Sequence, residues 1–104
     1  MAIPVKFILS CNLPSGVEEA KSALAFLTQQ LPEKLRGAGL ELQDVWHTVY
    51  GSWPQLRMMY YCPDVEMLRA FLVTKSWQLL KVQILQHVQG YQQKVIVYQA
   101  RFQL

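Results

Sequence analysis

Four stretches of the chain alternate apolar and polar positions with period two, and two longer ones repeat apolar positions every three or four residues. From Val5 to Cys11, the residues Val5, Phe7, Leu9 and Cys11 share one strand face, and Lys6, Ile8 and Ser10 share the other. Leu13-Pro14-Ser15-Gly16 stops this first strand. Ser15 followed by Glu18 has the spacing of a capping box, and Val17, Ala20, Leu24, Leu27 and Leu31 trace one stripe of an amphipathic helix. Pro32 removes an amide, so the pattern predicts a kink or end near Leu31, with a last turn to Arg36 before Gly37 and Gly39.

The centre of the pattern is Glu41 to Cys62, two strands joined by a tight turn at Gly51-Ser52-Trp53-Pro54. Alternation puts Leu42, Asp44, Trp46, Thr48 and Tyr50 on one face of strand two, and Gln43, Val45, His47 and Val49 on the other. On strand three, Leu56, Met58, Tyr60 and Cys62 oppose Arg57, Met59 and Tyr61. Neither strand has a clean polar face, which is the pattern of strands covered on both sides. Pro63-Asp64 then opens a second helical region in which Val65, Leu68 and Leu72 form the stripe with Phe71 beside it. Val73-Thr74-Lys75-Ser76 interrupts it, with Ser76 expected to recap a segment carrying Trp77, Leu80, Ile84 and Val88 to a C-terminal cap at Gly90. Lys94 to Phe102 alternates again as strand four.

The order strand, helix, strand, strand, helix, strand predicts an α+β class fold. Right-handed crossovers make it the ferredoxin-like βαββαβ arrangement: one four-stranded antiparallel sheet in spatial order 4-1-3-2, both helices on one face. With helices on one side only, the second face needs another cover. Composition sharpens that expectation. The hydrophobic share is 52% and the charged share 16%, against about 25% charged in an ordinary domain. A small domain has proportionally more surface and needs more charge, so part of its surface is expected to lie under a second copy, as a homodimer. Residues 1–104 read as a single domain with no linker or repeat.

The net charge of +3 is spread over ten scattered Lys and Arg residues, which gives no stripe for a phosphate backbone and argues against a nucleic-acid partner. Gln55 to Cys62 lacks the glycine-rich consensus of an RNA-recognition motif, and Ser10 to Gly16 lacks the arginine of an acylphosphatase phosphate cradle. No apolar run nears the roughly 20 residues needed to cross a bilayer. With no signal-peptide pattern either, a cytoplasmic protein with no membrane partner is expected. Cys11 and Cys62 fall at opposite ends of neighbouring antiparallel strands, so neither a disulfide nor a shared metal site is expected, and no metal ligand set is assigned.

Chemistry concentrates near the hairpin. His47, read as half-buried, is the candidate catalytic base or haem ligand; it is also what a core or interface histidine looks like. Asp44 lies three residues from it, on the opposite face unless a bulge intervenes. His87 is expected at an exposed helix end, suited to the dipole. The aromatics Trp46, Tyr50, Trp53, Tyr60 and Tyr61 suit an apolar ligand pocket or a dimer interface, and His47, Trp53 and Tyr61 are the candidate ligand-binding residues.

As an element pattern, with Val49-Tyr50-Gly51 closing strand two and a second helix broken before Ser76-Trp77-Gln78-Leu79, the chain resembles the dimeric α+β barrel superfamily and is similar to small barrels of the NIPSNAP and antibiotic-monooxygenase kind. The resemblance implies a dimer of face-to-face sheets, members of which hold a small hydrophobic molecule or a haem between sheet and helices or oxidise aromatic substrates without a cofactor. The expected function is therefore a homodimer binding a small apolar or aromatic molecule, with a cofactor-free or haem-dependent oxidase or monooxygenase activity among the options. The alternative is a non-catalytic assembly or regulatory module that uses the sheet face only for self-association.

Overall fold

A computed structural model describes residues 2–51 and 54–97. Its elements run β1 (Val5–Asn12), α1 (Val17–Ala25), a π-helical turn (Phe26–Gln30), α2 (Leu31–Arg36), β2 (Glu41–His47), β3 (Leu56–Cys62), α3 (Val65–Leu72), α4 (Lys75–His87) and β4 (Gln89–Val97). The four strands form one antiparallel sheet in the order β2-β3-β1-β4, the expected order read from the other edge. The molecule is a slab only 19 Å thick, one sheet and one layer of helices.

The core lies between those layers. Val5, Phe7, Leu9 and Cys11 of β1 face the helices, flanked by Leu56, Met58, Tyr60 and Cys62 of β3, and all eight are buried. Leu68, Trp77, Leu80 and Ile84 cover them from α3 and α4. Trp77 meets Phe7 edge-on, with ring centroids 5.7 Å apart. Cys11 and Cys62 do sit at opposite ends of β1 and β3, paired with Leu56 and Val5.

The first helical arm departs from the 3.6-residue reading. Gly16, not Ser15, occupies the cap position, and no side chain caps the helix. That one-residue shift makes Glu19 the third helical residue, and its carboxylate lies where a Cβ on Gly16 would be. Pro32 neither ends nor sharply breaks the helix. Lacking an N–H, it cannot continue the α ladder, and the chain widens just before it so that the Leu31 amide donates to Phe26 O, a π-type bond. Wider turns favour a spacing of four: Ala23, Leu27, Leu31 and Leu35 are buried with Phe26, whereas Val17 and Leu24 of the expected stripe are exposed.

The other boundaries moved for local reasons. β2 ends at His47 rather than Tyr50, and Thr48 closes the link that follows, its amide donating to Gln55 O and its hydroxyl to Pro54 O; Ser52 and Trp53 of the expected turn lie outside the described residues. Asn12 and Gln55 tie this link to β1: Gln55 N donates to Asn12 Oδ1, and Leu13 N donates to Gln55 Oε1, both at 2.8 Å. Asp64 caps α3 as expected, but Thr74, not Ser76, caps α4 by accepting from Trp77 N. Gly90 is no helix cap. It lies in β4 at φ 60°, where the register with β1 shifts between Ser10 and Asn12, the mark of a bulge glycine. β4 thus starts at Gln89, five residues before Lys94, and the stretch expected to end it at Phe102 lies outside the described residues.

Candidate functional site

Of the residues expected to bind a ligand, His47 and Tyr61 do not meet. His47 ends β2 opposite Leu56 and is exposed, not half-buried, because β2 is an edge strand whose last residues run past the helices. Tyr61 pairs with Glu41 at the other end of the hairpin, five residues from Leu56 and on the opposite sheet face. At about 3.3 Å per residue, roughly 16 Å of strand separates it from His47. Trp53 lies outside the described residues.

A bulge reorganises β2. Leu42 pairs with Tyr60 but Asp44 pairs with Met59, so Gln43 is an extra residue. Leu42 therefore faces the helices, while Asp44 and Trp46 face away from them and Val45 and His47 lie on the helix side. Asp44 and His47 both follow the bulge and remain on opposite faces.

The helix-free face can now be read as three rows across β2, β3, β1 and β4. Trp46, Arg57, Ser10 and Gln92 form the first; Asp44, Met59, Ile8 and Lys94 the second; Glu41, Tyr61, Lys6 and Ile96 the third. Its centre, Ile8 and Met59, is already buried within one chain at 7% and 9% exposure. Trp46 and Ile96 lie exposed at opposite corners. Charge is divided across the face: both carboxylates stand on β2, and Arg57, Lys6 and Lys94 stand on the other three strands.

On the helix side, the middle of the core is filled, but its β4 margin is open. A cleft of about 260 Å³ runs between α3 and strands β1 and β4, lined by Val5, Val65, Leu68, Leu72, Val95 and Val97. Arg69 stands at its edge with its guanidinium 3.0 Å from Glu66 Oε1. The lining is aliphatic and offers no imidazole, thiolate or phenol to iron, while His47 lies on β2, the far edge strand. These residues do not fit a haem.

Polar groups also lie inside the core, in places the sequence reading passed over. The Tyr60 hydroxyl is fully buried and finds no hydrogen-bond partner among the described residues. Burial raises the pKa of Tyr60 and pushes the Cys11 thiol up to about 11. Tyr91, whose hydroxyl donates to Gln93 Oε1, is raised by burial first and then by the nearness of Cys11 and Tyr60. The signal was present: Tyr60 is the one tyrosine in an otherwise apolar strand face, Leu56, Met58, Tyr60 and Cys62. His87 stacks on Phe26 at 4.5 Å, and its Nδ1 lies 2.8 Å from Gln83 O, so Nδ1 carries the proton that this carbonyl accepts. Among the described residues no three His, Cys, Asp or Glu side chains gather as a metal site, and no helix is long and apolar enough to cross a membrane.

This geometry is the α+β, ferredoxin-like fold of the NIPSNAP-like proteins. A NIPSNAP family protein from Agrobacterium tumefaciens superposes with a TM-score of 0.64 at 10% identity, covering 96% of this chain and 90% of that one. A protein of unknown function from Bacteroides thetaiotaomicron, described as a possible oxidoreductase, gives 0.65 at 10% identity over 94% and 100% of the two chains. The hydroxynitrile lyase of Passiflora edulis gives 0.66 at 11% identity over 99% and 100%. At such identities the likeness is one of fold. No protein-family model matches the chain, and no curated protein matches it by sequence.

Proposed function

We propose that the chain works as a homodimer closed through its helix-free sheet face, and that each copy holds a small apolar molecule in the cleft between α3 and strands β1 and β4. The observation that carries the dimer is the arrangement of charge on that face. A two-fold axis parallel to the strands lays β2 of one copy over β4 of the other. Asp44 then faces Lys94, Met59 faces Ile8, and the same contacts repeat by symmetry. An axis across the strands would set Asp44 against Asp44 and Lys94 against Lys94, which is unfavourable.

The cleft supports a ligand of modest size. A dry cavity of about 150 Å³ admits benzene, so 260 Å³ suits a substituted single ring or a short branched chain. Because its lining has no base, nucleophile or iron ligand, binding rather than oxidation is the role proposed for it. The filled centre of the core favours the second reading, an assembly module without a ligand.

Light scattering over a wide concentration range tests the dimer, with twice 12.1 kDa expected. Asp44→Lys and Lys94→Asp should each weaken dimerisation, and the double swap should restore it. A persistent monomer, or single variants without effect, would overturn the arrangement. Toluene titrated against the methyl NMR signals of Leu68, Leu72, Val95 and Val97 decides the ligand: saturable shifts support the cleft, and none favours the assembly module.

A further inference from the structure

The helix layer carries a second apolar feature that neither the core nor the sheet face explains. Trp77, Leu80 and Ile84 turn α4 inward, yet Leu79, Val82 and Leu85 stand on its outer side at 60%, 51% and 51% exposure. A helix apolar on both sides is normally covered on both. Beside these residues, between α2, the end of α3 and α4, runs a groove of about 590 Å³, within the roughly 300–1,000 Å³ typical of ligand sites. Phe71, Leu79, Leu80 and Val82 supply its apolar lining, and Lys34 its charged one.

The one charged side chain in its lining is the Lys34 ammonium of α2. α4 adds Lys75 and Lys81 and no carboxylate. The acid on α2, Glu33, is engaged with Arg36 at 3.4 Å. A second copy docked here would set lysines against lysines, which disfavours self-association by this face. The remaining groove-lining groups, Ser76, Gln83 and Gln86, are neutral hydrogen-bonders that accommodate a polar head.

We propose that this groove binds a free, single-chain anionic amphiphile: an aliphatic body along Leu79, Val82 and Phe71, and a carboxylate or similar head held by the Lys34 ammonium. The site lies on the helix layer, faces outward in the proposed dimer, and does not share residues with the α3 cleft. Its fate is therefore separable from both parts of the function proposed above.

Decanoate titrated below its micelle concentration, against the methyl signals of Leu79 and Val82, is the test. Saturable shifts of those methyls are expected, with Lys34→Gln weakening the affinity about tenfold, the scale of one charge-assisted hydrogen bond. Decanol should bind wild type about tenfold more weakly than decanoate and should not distinguish Lys34→Gln from wild type. Lys34 and Leu79 are exposed, so Lys34→Gln and Leu79→Gln should fold normally, and Leu79→Gln should abolish the shifts. Three results would overturn the proposal: shifts confined to Leu72, Val95 and Val97 in the cleft, equal affinity for decanoate and decanol, or co-sedimentation with anionic vesicles without any response to monomeric decanoate.

Discussion

Removing the hydroxyl of Tyr60 should stabilise this protein. Tyr60 is the largest fully buried side chain among the described residues, its ring set between Phe7 and Leu42 on the helix side of the sheet. Its oxygen has no partner among the described residues, and burial alone raises its pKa, as a hydroxyl cut off from water requires. A buried, unsatisfied polar group costs about 1–3 kcal/mol, because water bonds it in the unfolded chain and no described residue bonds it in the fold. Tyr60→Phe keeps the ring and deletes that cost. The lost oxygen forfeits contacts worth about 0.1–0.2 kcal/mol each, so a handful of them offsets less than about 1 kcal/mol.

The net expectation is a gain of about 1 kcal/mol, which on a domain of this size raises Tm by about 4–8 °C. Calorimetry or thermal unfolding followed by circular dichroism measures it, with both proteins at one concentration, since any self-association would make Tm depend on concentration. Tyr60→Ala is the counterpart: losing the ring should cost about 3–5 kcal/mol by transfer and cavity terms together. If Tyr60→Phe lowers Tm by several degrees, the reasoning fails. The hydroxyl would then have a partner in solution, a buried water or a bound molecule, and the core would contain a polar site.

Other consequences concern titration and backbone. Burial lifts the Cys11 thiol from 9.0 to about 11, so the folded state holds that proton more tightly than the unfolded chain. Stability is full below pH 9 and should fall as pH rises toward 11; in Cys11→Ala, urea midpoints between pH 8.5 and 10 should fall less steeply than in wild type. Gly39 has φ 92°, and a Cβ there would lie 2.6 Å from Met67 Sδ. Gly39→Ala should cost about 1–3 kcal/mol in urea unfolding, and adding Met67→Ala should recover only the steric part. Thr74→Ala should lose about 1 kcal/mol with the α4 cap, while Ser76→Ala should stay within about 0.5 kcal/mol of wild type.

The layer order and most of the core were legible because each rests on period. Strand β1 kept its assigned faces, and the stripe Trp77, Leu80, Ile84 and Val88 is buried as its spacing required. Errors fell where one residue breaks a period. The π turn before Pro32 shifted the buried row of the first helical arm from Val17 and Leu24 to Ala23, Phe26 and Leu35. Gly90 looked like a helix cap by composition, but a left-handed glycine serves a strand bulge equally well. His47 misled for another reason. Alternation gives the face on which a side chain stands, not whether anything covers that face at the sheet edge.

The bulge at Gln43 shows how much one such residue governs. Unbroken alternation would hold Leu42, Asp44 and Trp46 on one face, leaving either an aspartate against the helices or a leucine out of the core. The bulge resolves that conflict by letting Leu42 cover Tyr60 while Asp44 and Trp46 turn outward. It also places Asp44 in the same row as Lys94, at the opposite edge of the helix-free face, the pairing that would select one axis over the other in the dimer proposed above. An edge strand bent by a bulge resists indiscriminate pairing with other strands. The same irregularity thus closes the core and blunts the β2 edge, and it sets the charge pattern by which a second copy would be recognised.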